Sequence, residues 1–265
     1  MTDIPNRPTA VSGRLGVTAS IVGDDFVVSA EPRPEVMRLG ALRAAAIVYA
    51  IDVVAGVTCD VDDNAWTFTS DLTFQCEPVR EGSIHTVARI LRQGARSSTC
   101  EVFITDDTGR NVGYSTAGFA LVPRRPEDPP KMHFDMGMAV EIFGQIPTLE
   151  EPLRDAMGIE VIDAEQGVME LALRDDLRNP AGALQGAMVA ALAEAAAEDL
   201  FSAHLGAPAL VTGLEIRYLG QGRVGPVRTR AQIMGDGPAA PVRVQLYDVS
   251  SGKLLTHVTA HARTI

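Results

Sequence analysis

The alternation of apolar and polar positions divides the chain into two halves with the same plan. Each half has an early extended segment, then a stretch that is apolar on all sides, then several segments in which apolar and polar residues alternate. The stretch that is apolar on all sides is typical of a buried helix, and the alternating segments are typical of half-buried strands. The predicted strands are 17–30, 66–76, 84–92, 98–105 and 114–122 around a helix at 41–58, and 159–173, 210–219, 227–233, 242–247 and 254–262 around a helix at 183–204.

A constant offset of 142 positions relates the two halves. The triplet LGV at 15–17 recurs as MGI at 157–159, and GAL at 40–42 recurs as GAL at 182–184. Ser70 corresponds to Thr212 at the same offset, since 212 − 70 = 142. Sequence identity between the halves is low, but the constant spacing indicates a duplicated structural unit.

Each unit combines one helix with one antiparallel sheet, which is an α+β arrangement. The predicted domains are 1–122 and 153–265. The segment 123–152 between them is rich in proline, methionine and charge, which favours a linker. Its middle, 134–146, has the pattern of a short docked segment.

Composition and charge limit the classes of partner. A chain of 265 residues can build two hydrophobic cores, and its net charge of −11 argues against nucleic acid or an anionic membrane as the main partner. The first ten residues lack the apolar core of a signal peptide, and the apolar stretch at 44–58 contains Asp52 and is too short to span a membrane. Cys59, Cys76 and Cys100 lack CxxC spacing, which favours reduced thiols and a cytoplasmic location.

Several kinds of chemistry lack their motifs. The run GQGRVG at 220–225 has the spacing of a dinucleotide-binding loop, but a strand-like run follows where that loop needs a helix. The five histidines have no metal-binding spacing, and the chain has no GxSxG motif. We therefore expect no metal, no redox cofactor and no serine-hydrolase mechanism.

One stretch resembles the signature of hotdog-fold acyl-CoA thioesterases, a family that includes the phenylacetate-pathway and 4-hydroxybenzoyl-CoA thioesterases. It runs NPAGALQGAM from Asn179 and continues into the second apolar helix. Asn179, Gly186, Glu194 and Thr212 match the family's pattern by type and spacing. Gln185 stands where the family commonly has histidine.

Because the first half follows the same plan, the resemblance implies a double hotdog. Each unit would be a long buried helix wrapped by an antiparallel sheet. The two units would pair sheet edge to sheet edge with their helices antiparallel, as two chains do in single-domain members of the family.

The resemblance also implies roles for individual residues. The N–H of Gly186 would polarise the thioester carbonyl, while Asn179 and Gln185 hold the acyl end or the water. An acidic residue of the helix would activate the water or attack directly, and a Ser or Thr would orient that water. Elementary chemistry agrees, because N–H groups at a helix start stabilise negative charge and a buried carboxylate with a raised pKa suits general-base work.

Helix geometry predicts that the acid serving Gly186 comes from the other half. Glu194 lies eight residues after Gly186 on the same helix, which is roughly 12 Å along the axis and too far for both to reach one carbonyl. The offset of 142 relates Glu194 to Asp52 and Thr212 to Ser70. The predicted catalytic residues are Asn179, Gln185, Gly186, Asp52 and Ser70.

Glu194 and Thr212 are the candidates for a second site. They meet Met37, Arg43 and Ala44 at the equivalent positions, which lack the amide side chains and the glycine. Arg43 is also placed to pair with Glu194 and to remove it as a base. We predict that only the first site works.

The sequence therefore predicts an enzyme that hydrolyses an acyl-CoA thioester to a carboxylic acid and CoA, without a cofactor, in a self-associating chain. A non-catalytic acyl-CoA-binding hotdog protein is the alternative. A hotdog dehydratase or hydratase is less favoured, because no Asp–His pair is visible near either helix. The candidate partners of the CoA phosphates are arginines: Arg217, Arg223, Arg228 and Arg230 in the second half and Arg80, Arg89, Arg92 and Arg96 in the first. These arginines fit the role of ordinary surface charges equally well.

Overall fold

The computed structural model describes residues 10–60, 64–124, 126, 131, 135–144, 148–237 and 239–264. These residues form a twelve-stranded antiparallel sheet against which two long helices pack, so the fold is α+β. The helices are α1 (Ala44–Cys59), α2 (Met136–Phe143), α3 (Leu153–Met157) and α4 (Gly186–Leu205). The strands of the first half are β1 (Val17–Val22), β2 (Asp25–Ala30), β3 (Met37–Arg38), β4 (Ala41–Leu42), β5 (Ala65–Cys76), β6 (Ile84–Gln93), β7 (Ser97–Asp106) and β8 (Asn111–Pro123). Those of the second half are β9 (Ile159–Asp163), β10 (Val168–Leu171), β11 (Ala209–Tyr218), β12 (Val227–Ile233), β13 (Val242–Asp248) and β14 (Leu254–Thr264).

The strand order of the sheet is the same in both halves when it is followed from the outer edge to the centre. The first half runs β1-β2-β6-β7-β8-β5, and the sheet continues as β11-β14-β13-β12-β10-β9. Strands β5 and β11 join the halves as an antiparallel pair from Gly213↔Gln75 to Arg217↔Asp71. The halves therefore meet sheet edge to sheet edge, while β3 and β4 form a small separate hairpin.

The two long helices run antiparallel. At the start of α1, the backbone N–H groups of Ala44 and Ala45 donate to Glu194, which lies in the middle of α4. In the middle of α1, Asp52 lies beside Gly186 at the start of α4. The sheet covers one side of each helix, and the other helix covers an adjacent side. This explains why both helix sequences are apolar on nearly all sides.

Two predicted strands are hairpins in the structure. The segment 17–30 divides into β1 and β2 at Gly23, whose φ of +62° suits glycine. The segment 159–173 divides into β9 and β10 in the same way. The continuous apolar alternation conceals the glycine-containing turns. Both long helices also begin three residues later than predicted, because an extended residue precedes each one as its N-cap.

Part of the segment 123–152 packs against the first half. Helix α2 begins after Asp135, whose side chain accepts a hydrogen bond from the N–H of Met138. The ring of Phe143 at its other end packs edge-on against Tyr49 of α1, with 6.2 Å between the ring centroids. Phe134 and Ile146, the ends of the predicted docked segment, lie outside the described residues.

Within the described ranges, the helices are too short or too polar to cross a membrane. Cys59, Cys76 and Cys100 are free thiols and all three are buried.

Candidate active site

A cavity of about 560 Å³ lies between the two halves, where the start of α4 meets the middle of α1. Its walls are one face of α1, the start of β5, the loop that leads into α4 and the loop that follows β11. Cavities of this size accommodate small organic ligands. Pro180 and Gln221 are exposed on these loops, so the cavity opens to solvent at this side.

Asp52 is the carboxylate of this cavity that lies beside the start of α4. It lies on α1, and its Oδ1 accepts a hydrogen bond from the hydroxyl of Thr69 at 2.7 Å. Its Oδ2 lies beside Gly186 of the other half, 3.8 Å from the point where a Cβ of that residue would be. Burial raises the pKa of Asp52, and the hydrogen bond from Thr69 partly opposes that rise. A carboxylate with a raised pKa is a stronger base than one in water.

The N-terminus of α4 supplies a backbone donor opposite Asp52. Gln185 is the N-cap, and its Oε1 accepts the N–H groups of Ala187 at 2.5 Å and of Met188 at 3.4 Å. The N–H of Gly186 has no acceptor among the described residues, and Gly186 lines the cavity. A Cβ at this position would lie 3.2 Å from the hydroxyl of Tyr218 and 3.8 Å from Asp52, so the absence of a side chain leaves room in this part of the cavity. A helix N-terminus favours negative charge.

Asn179 and Ser70 also line the cavity, but both have structural partners. The side-chain oxygen of Asn179 accepts the N–H of Ala183 at 3.0 Å and closes the loop before α4. The hydroxyl of Ser70 donates to Asp71 at 2.9 Å. The hydroxyl that reaches Asp52 is therefore that of Thr69, one residue earlier than the offset of 142 indicates.

Tyr218 is a site residue that the sequence patterns did not single out. It ends β11, lines the cavity and donates from its hydroxyl to the carbonyl of Gly186 at 3.2 Å. Burial and the nearby charge of Asp52 raise the pKa of Tyr218 well above its ordinary value, so it remains a protonated donor. The sequence feature that could have identified Tyr218 is the alternation in β11, which places it on the inward face with Leu214 and Ile216.

Glu194 and Thr212 lie apart from this cavity. Glu194 is buried and accepts the N–H groups of Ala44 at 2.9 Å and of Ala45 at 3.2 Å, so its carboxylate caps α1. The distance from Arg43 to Glu194 is 3.8 Å, which is the predicted ion pair. Thr212 donates to the carbonyl of His261 at 3.5 Å.

An ion-pair network fills the space that corresponds to the cavity in the other half. Buried Glu198 lies 3.0 Å from Arg38 and 3.2 Å from both Arg43 and Arg154. Arg154 also pairs with Asp199 at 2.9 Å. The offset of 142 relates cavity positions to filled ones: Asp52 to Glu194, Gly56 to Glu198, Thr69 to Val211, Gln185 to Arg43 and Gly186 to Ala44.

The predicted CoA-binding arginines are mostly paired with acidic residues or backbone oxygens. Arg223 follows Gly222, which lines the cavity, and donates to Gln221 at 2.6 Å. The structure adds two further cations at the mouth. Arg178 lines the cavity and donates to the carbonyls of Gly182, Arg223 and Leu173. The amine of Lys253 packs against Gly220. Five of the other candidates are engaged elsewhere: Arg217 with Asp71, Arg228 with Glu170, Arg230 over the ring of Tyr247, Arg89 with Asp25 and Arg80 with the carbonyl of Leu39. Arg92 and Arg96 are exposed and lie outside the cavity lining.

The described residues contain no cluster of three or more His, Cys, Asp or Glu that could hold a metal ion. Among them, none of the histidines lines the cavity, and His133 lies outside the described ranges. His85 pairs with Asp107 at 2.9 Å and with Ser29 at 2.8 Å, but this cross-strand cluster is outside the cavity lining.

No protein-family model matches the chain, and no curated protein matches its sequence. Several solved structures resemble it. The 12:0-ACP thioesterase from Umbellularia californica matches with a TM-score of 0.61 at 12% identity, over 92% of this chain and 99% of that chain. The tesB protein of Mycobacterium avium subs paratuberculosis matches with a TM-score of 0.62 at 14% identity, over 96% of this chain and 97% of that chain. A protein with a hot dog fold from Alicyclobacillus acidocaldarius matches with a TM-score of 0.56 at 13% identity, over 96% and 98% of the two chains. At these identities the likeness shows the fold, which is the hotdog fold.

Proposed function

We propose that this chain is a thioesterase that hydrolyses acyl-CoA to a carboxylic acid and CoA. The observation that carries the proposal is the meeting of Asp52, on α1, with the N-terminus of α4 across one cavity. The carboxylate and the N–H of Gly186 come from different halves and face the same space. Solved structures with a similar fold include a 12:0-ACP thioesterase, which supports thioester hydrolysis as the reaction class.

The mechanism follows from what these groups can do. Asp52 accepts a proton from water, and the resulting hydroxide attacks the thioester carbonyl carbon. The N–H of Gly186 donates to the carbonyl oxygen, whose negative charge develops in the tetrahedral intermediate. The C–S bond then breaks, and the leaving sulfur takes the proton from Asp52. Thr69 holds one carboxylate oxygen, so that the other stays directed toward Gly186.

We interpret the halves as two hotdog domains, 1–122 and 153–265, joined by the linker 123–152. The support is the equivalent strand order on the two sides of the β5–β11 pair. In this interpretation the duplicated chain is a double hotdog with one working site. The closer resemblance to phenylacetate-pathway and 4-hydroxybenzoyl-CoA thioesterases, the cytoplasmic location and the self-association of the chain stay predictions.

The assay for this proposal is the release of free thiol from a panel of acyl-CoA substrates. We expect Asp52→Asn to lower kcat by about 10²- to 10⁴-fold, the usual contribution of a general base. Glu194→Gln is the matched control, because Glu194 is the equivalent carboxylate of the other half, and it should retain most of the turnover per folded molecule. Circular dichroism checks that both variants fold.

Two results would contradict the proposal. An active Asp52→Asn with a dead Glu194→Gln would reverse the assignment of the sites. Binding of acyl-CoA without thiol release would favour the non-catalytic alternative. Turnover of the same acyl groups on acyl carrier protein, compared with turnover on CoA, shows which carrier the mouth of the cavity accepts.

A further inference from the structure

Neither backbone strain nor a packing contact requires glycine at position 56. Gly56 lies inside α1, where glycine weakens a helix relative to alanine, and its φ is not in the left-handed region. A Cβ added there would meet no atom within 4 Å among the described residues. The residue lines the cavity, so this open space is part of the cavity. Glycine at this position therefore makes room for a ligand.

The equivalent position of the second half shows the opposite arrangement. Glu198 occupies it, is buried, and pairs with three arginines. The two halves thus share one backbone plan but differ in the bulk at this position. The side that carries Asp52 keeps a channel open, and the other side is filled.

The open space continues along one face of α1. Asp52 and Gly56 are four residues apart on one face of α1, and Asp60 follows four residues later as the residue that ends the helix. All three line the cavity. The facing wall is largely apolar, with Phe68 and Phe143 among its residues. These features describe a largely apolar channel that starts at Asp52.

The far end of the channel is closed by an ion pair. Lys131 pairs with Asp60, and its amine also donates to the carbonyl of Ala65 at 2.8 Å. The hydroxyl of Thr67 donates to Asp60 as well. The side chain of Lys131 is only 6% exposed and that of Asp60 14%, so this end has little access to solvent.

We propose that this channel from Asp52 to Asp60 holds the acyl group of the substrate and selects chains of medium length; this inference rests on the proposed function. Eight residues of helix span about 12 Å. An extended chain with bonds of about 1.5 Å and angles of roughly 111° advances about 1.25 Å per carbon. The channel therefore fits an acyl chain of about ten carbons, counted from the thioester carbon.

The carrier must then leave through the mouth. CoA phosphates need cations and access to water, and Arg178, Arg223 and Lys253 lie on that side. At the closed end, the cation among the described lining residues is Lys131. Its charge is already neutralised by Asp60. The charges thus assign the two ends of the cavity to different parts of the substrate.

The test compares chain-length profiles. Values of kcat/KM are measured for the wild type and for Gly56→Leu with saturated acyl-CoA substrates. The substrates run from about 4 to 16 carbons, so that they bracket the estimated length of about ten carbons. We expect the wild type to prefer about ten carbons, and Gly56→Leu to lower the ratio of decanoyl-CoA to butanoyl-CoA turnover by at least about tenfold, because the added side chain occupies the channel. Thr58→Leu is the control, since it places a leucine on the same helix outside the cavity lining, and it should keep the wild-type ratio.

A second variant lengthens the channel instead. Asp60→Ala combined with Lys131→Ala removes both partners of the ion pair, so that no unpaired charge remains buried. We expect the preferred chain length to move upward, by about two to four carbons, which is the room that the two truncated side chains leave. An unchanged profile in this variant and in Gly56→Leu would overturn the inference.

A binding measurement separates this inference from the proposed function. Calorimetry with free saturated fatty acids of the same lengths reports on the channel without any turnover. A length optimum that Gly56→Leu shortens would support the channel even if no thioester were hydrolysed. An equal loss of turnover at every chain length in Gly56→Leu would place the carrier in the channel. A preference for benzoyl-CoA over every alkyl chain would exclude selection of a chain of about ten carbons. Either result overturns the inference.

Discussion

Asp52 and Glu194 occupy equivalent positions in the two halves, yet their surroundings give them different chemistry. Asp52 is open to the cavity and receives one hydrogen bond, from Thr69. Glu194 receives two backbone N–H groups and lies near Arg43, so its oxygens are occupied. The longer side chain of Glu194 lets it reach the helix start that Asp52 leaves for a ligand. One methylene group thus separates a candidate base from a helix cap.

The pH dependence of turnover should follow the ionisation of Asp52. Burial raises the pKa of this group, and only the ionised form accepts a proton from water. Activity is therefore lost below the raised pKa and recovered as pH rises through it, so we expect turnover to increase through weakly acidic to neutral pH. A pH–rate profile, recorded where chemistry limits the rate, checks this. A flat profile from about pH 5 to 8, around the range in which raised carboxylate pKa values fall, would contradict it.

Removing the hydroxyl of Thr69 should move that acidic limb to higher pH. The hydrogen bond from Thr69 favours the ionised carboxylate and lowers its pKa, so Thr69→Val leaves the pKa of Asp52 higher still. We expect kcat/KM near neutral pH to fall about tenfold or more. Ser70→Ala is the comparison, because the hydroxyl of Ser70 faces Asp71 instead. A larger shift of the limb in Ser70→Ala than in Thr69→Val would show that the serine is the partner in solution.

At the scale of elements, the N–H groups at the start of each long helix are capped in different ways. The cap of α4 is its own N-cap residue, and the cap of α1 comes from the other half. Gln185 caps α4 from within the same chain segment and leaves Gly186 without an acceptor among the described residues. Glu194 caps α1 from the other half and satisfies Ala44 and Ala45. The α1 cap therefore belongs to the packing between halves, and the α4 cap leaves a donor for a ligand.

Loss of the α1 cap should cost stability more than activity. Glu194→Gln removes a buried negative charge from a network that holds Arg43, and breaking such a pair typically costs about 3 kcal/mol. We expect urea denaturation to show a loss of this size. Asp52→Asn should leave the free energy of unfolding unchanged or raise it, because it removes a buried carboxylate without an ionic partner. A stable Glu194→Gln beside an unstable Asp52→Asn would contradict this division of roles.

The elements were predictable from sequence because burial sets their periodicity. Strand β12 has the predicted bounds, and the remaining sheet strands outside the split hairpins differ by three residues or fewer at their ends. The hydroxyl beside Asp52 was not predictable in this way. The β5–β8 pairing skips Ser70, and the β11–β14 pairing skips Thr212, so each is a bulge that shifts the side chains by one position. A bulge has no signature in the hydrophobic pattern. The match of Ser70 to Thr212 therefore gave no indication that the hydroxyl of Thr69 is the one that reaches Asp52.

For the whole molecule, the distribution of the site over both halves was inferable from one length argument. Eight residues of helix separate Gly186 from Glu194, which required a carboxylate from elsewhere. The filling of the second cavity was harder to infer, since it depends on Arg154 of α3, whose guanidinium reaches Glu198 and Asp199 of α4 only in the folded chain. Such contacts between distant segments do not appear in any local pattern.

The folding of each half should depend on the other. Separation would expose the edges of β5 and β11, uncover the facing sides of α1 and α4, and leave the first N–H groups of α1 without Glu194. An unpaired strand edge and an uncovered apolar helix favour aggregation or pairing with another chain. We expect residues 1–152 and 153–265, expressed separately, to show little protection from hydrogen exchange, and co-expression to restore protection and thioester hydrolysis together. The co-expressed pair should lose turnover with Asp52→Asn in the first fragment and keep it with Glu194→Gln in the second, because the proposed site takes its carboxylate from one half and its backbone donor from the other. Full protection in either fragment as a soluble monomer would show that the halves fold independently.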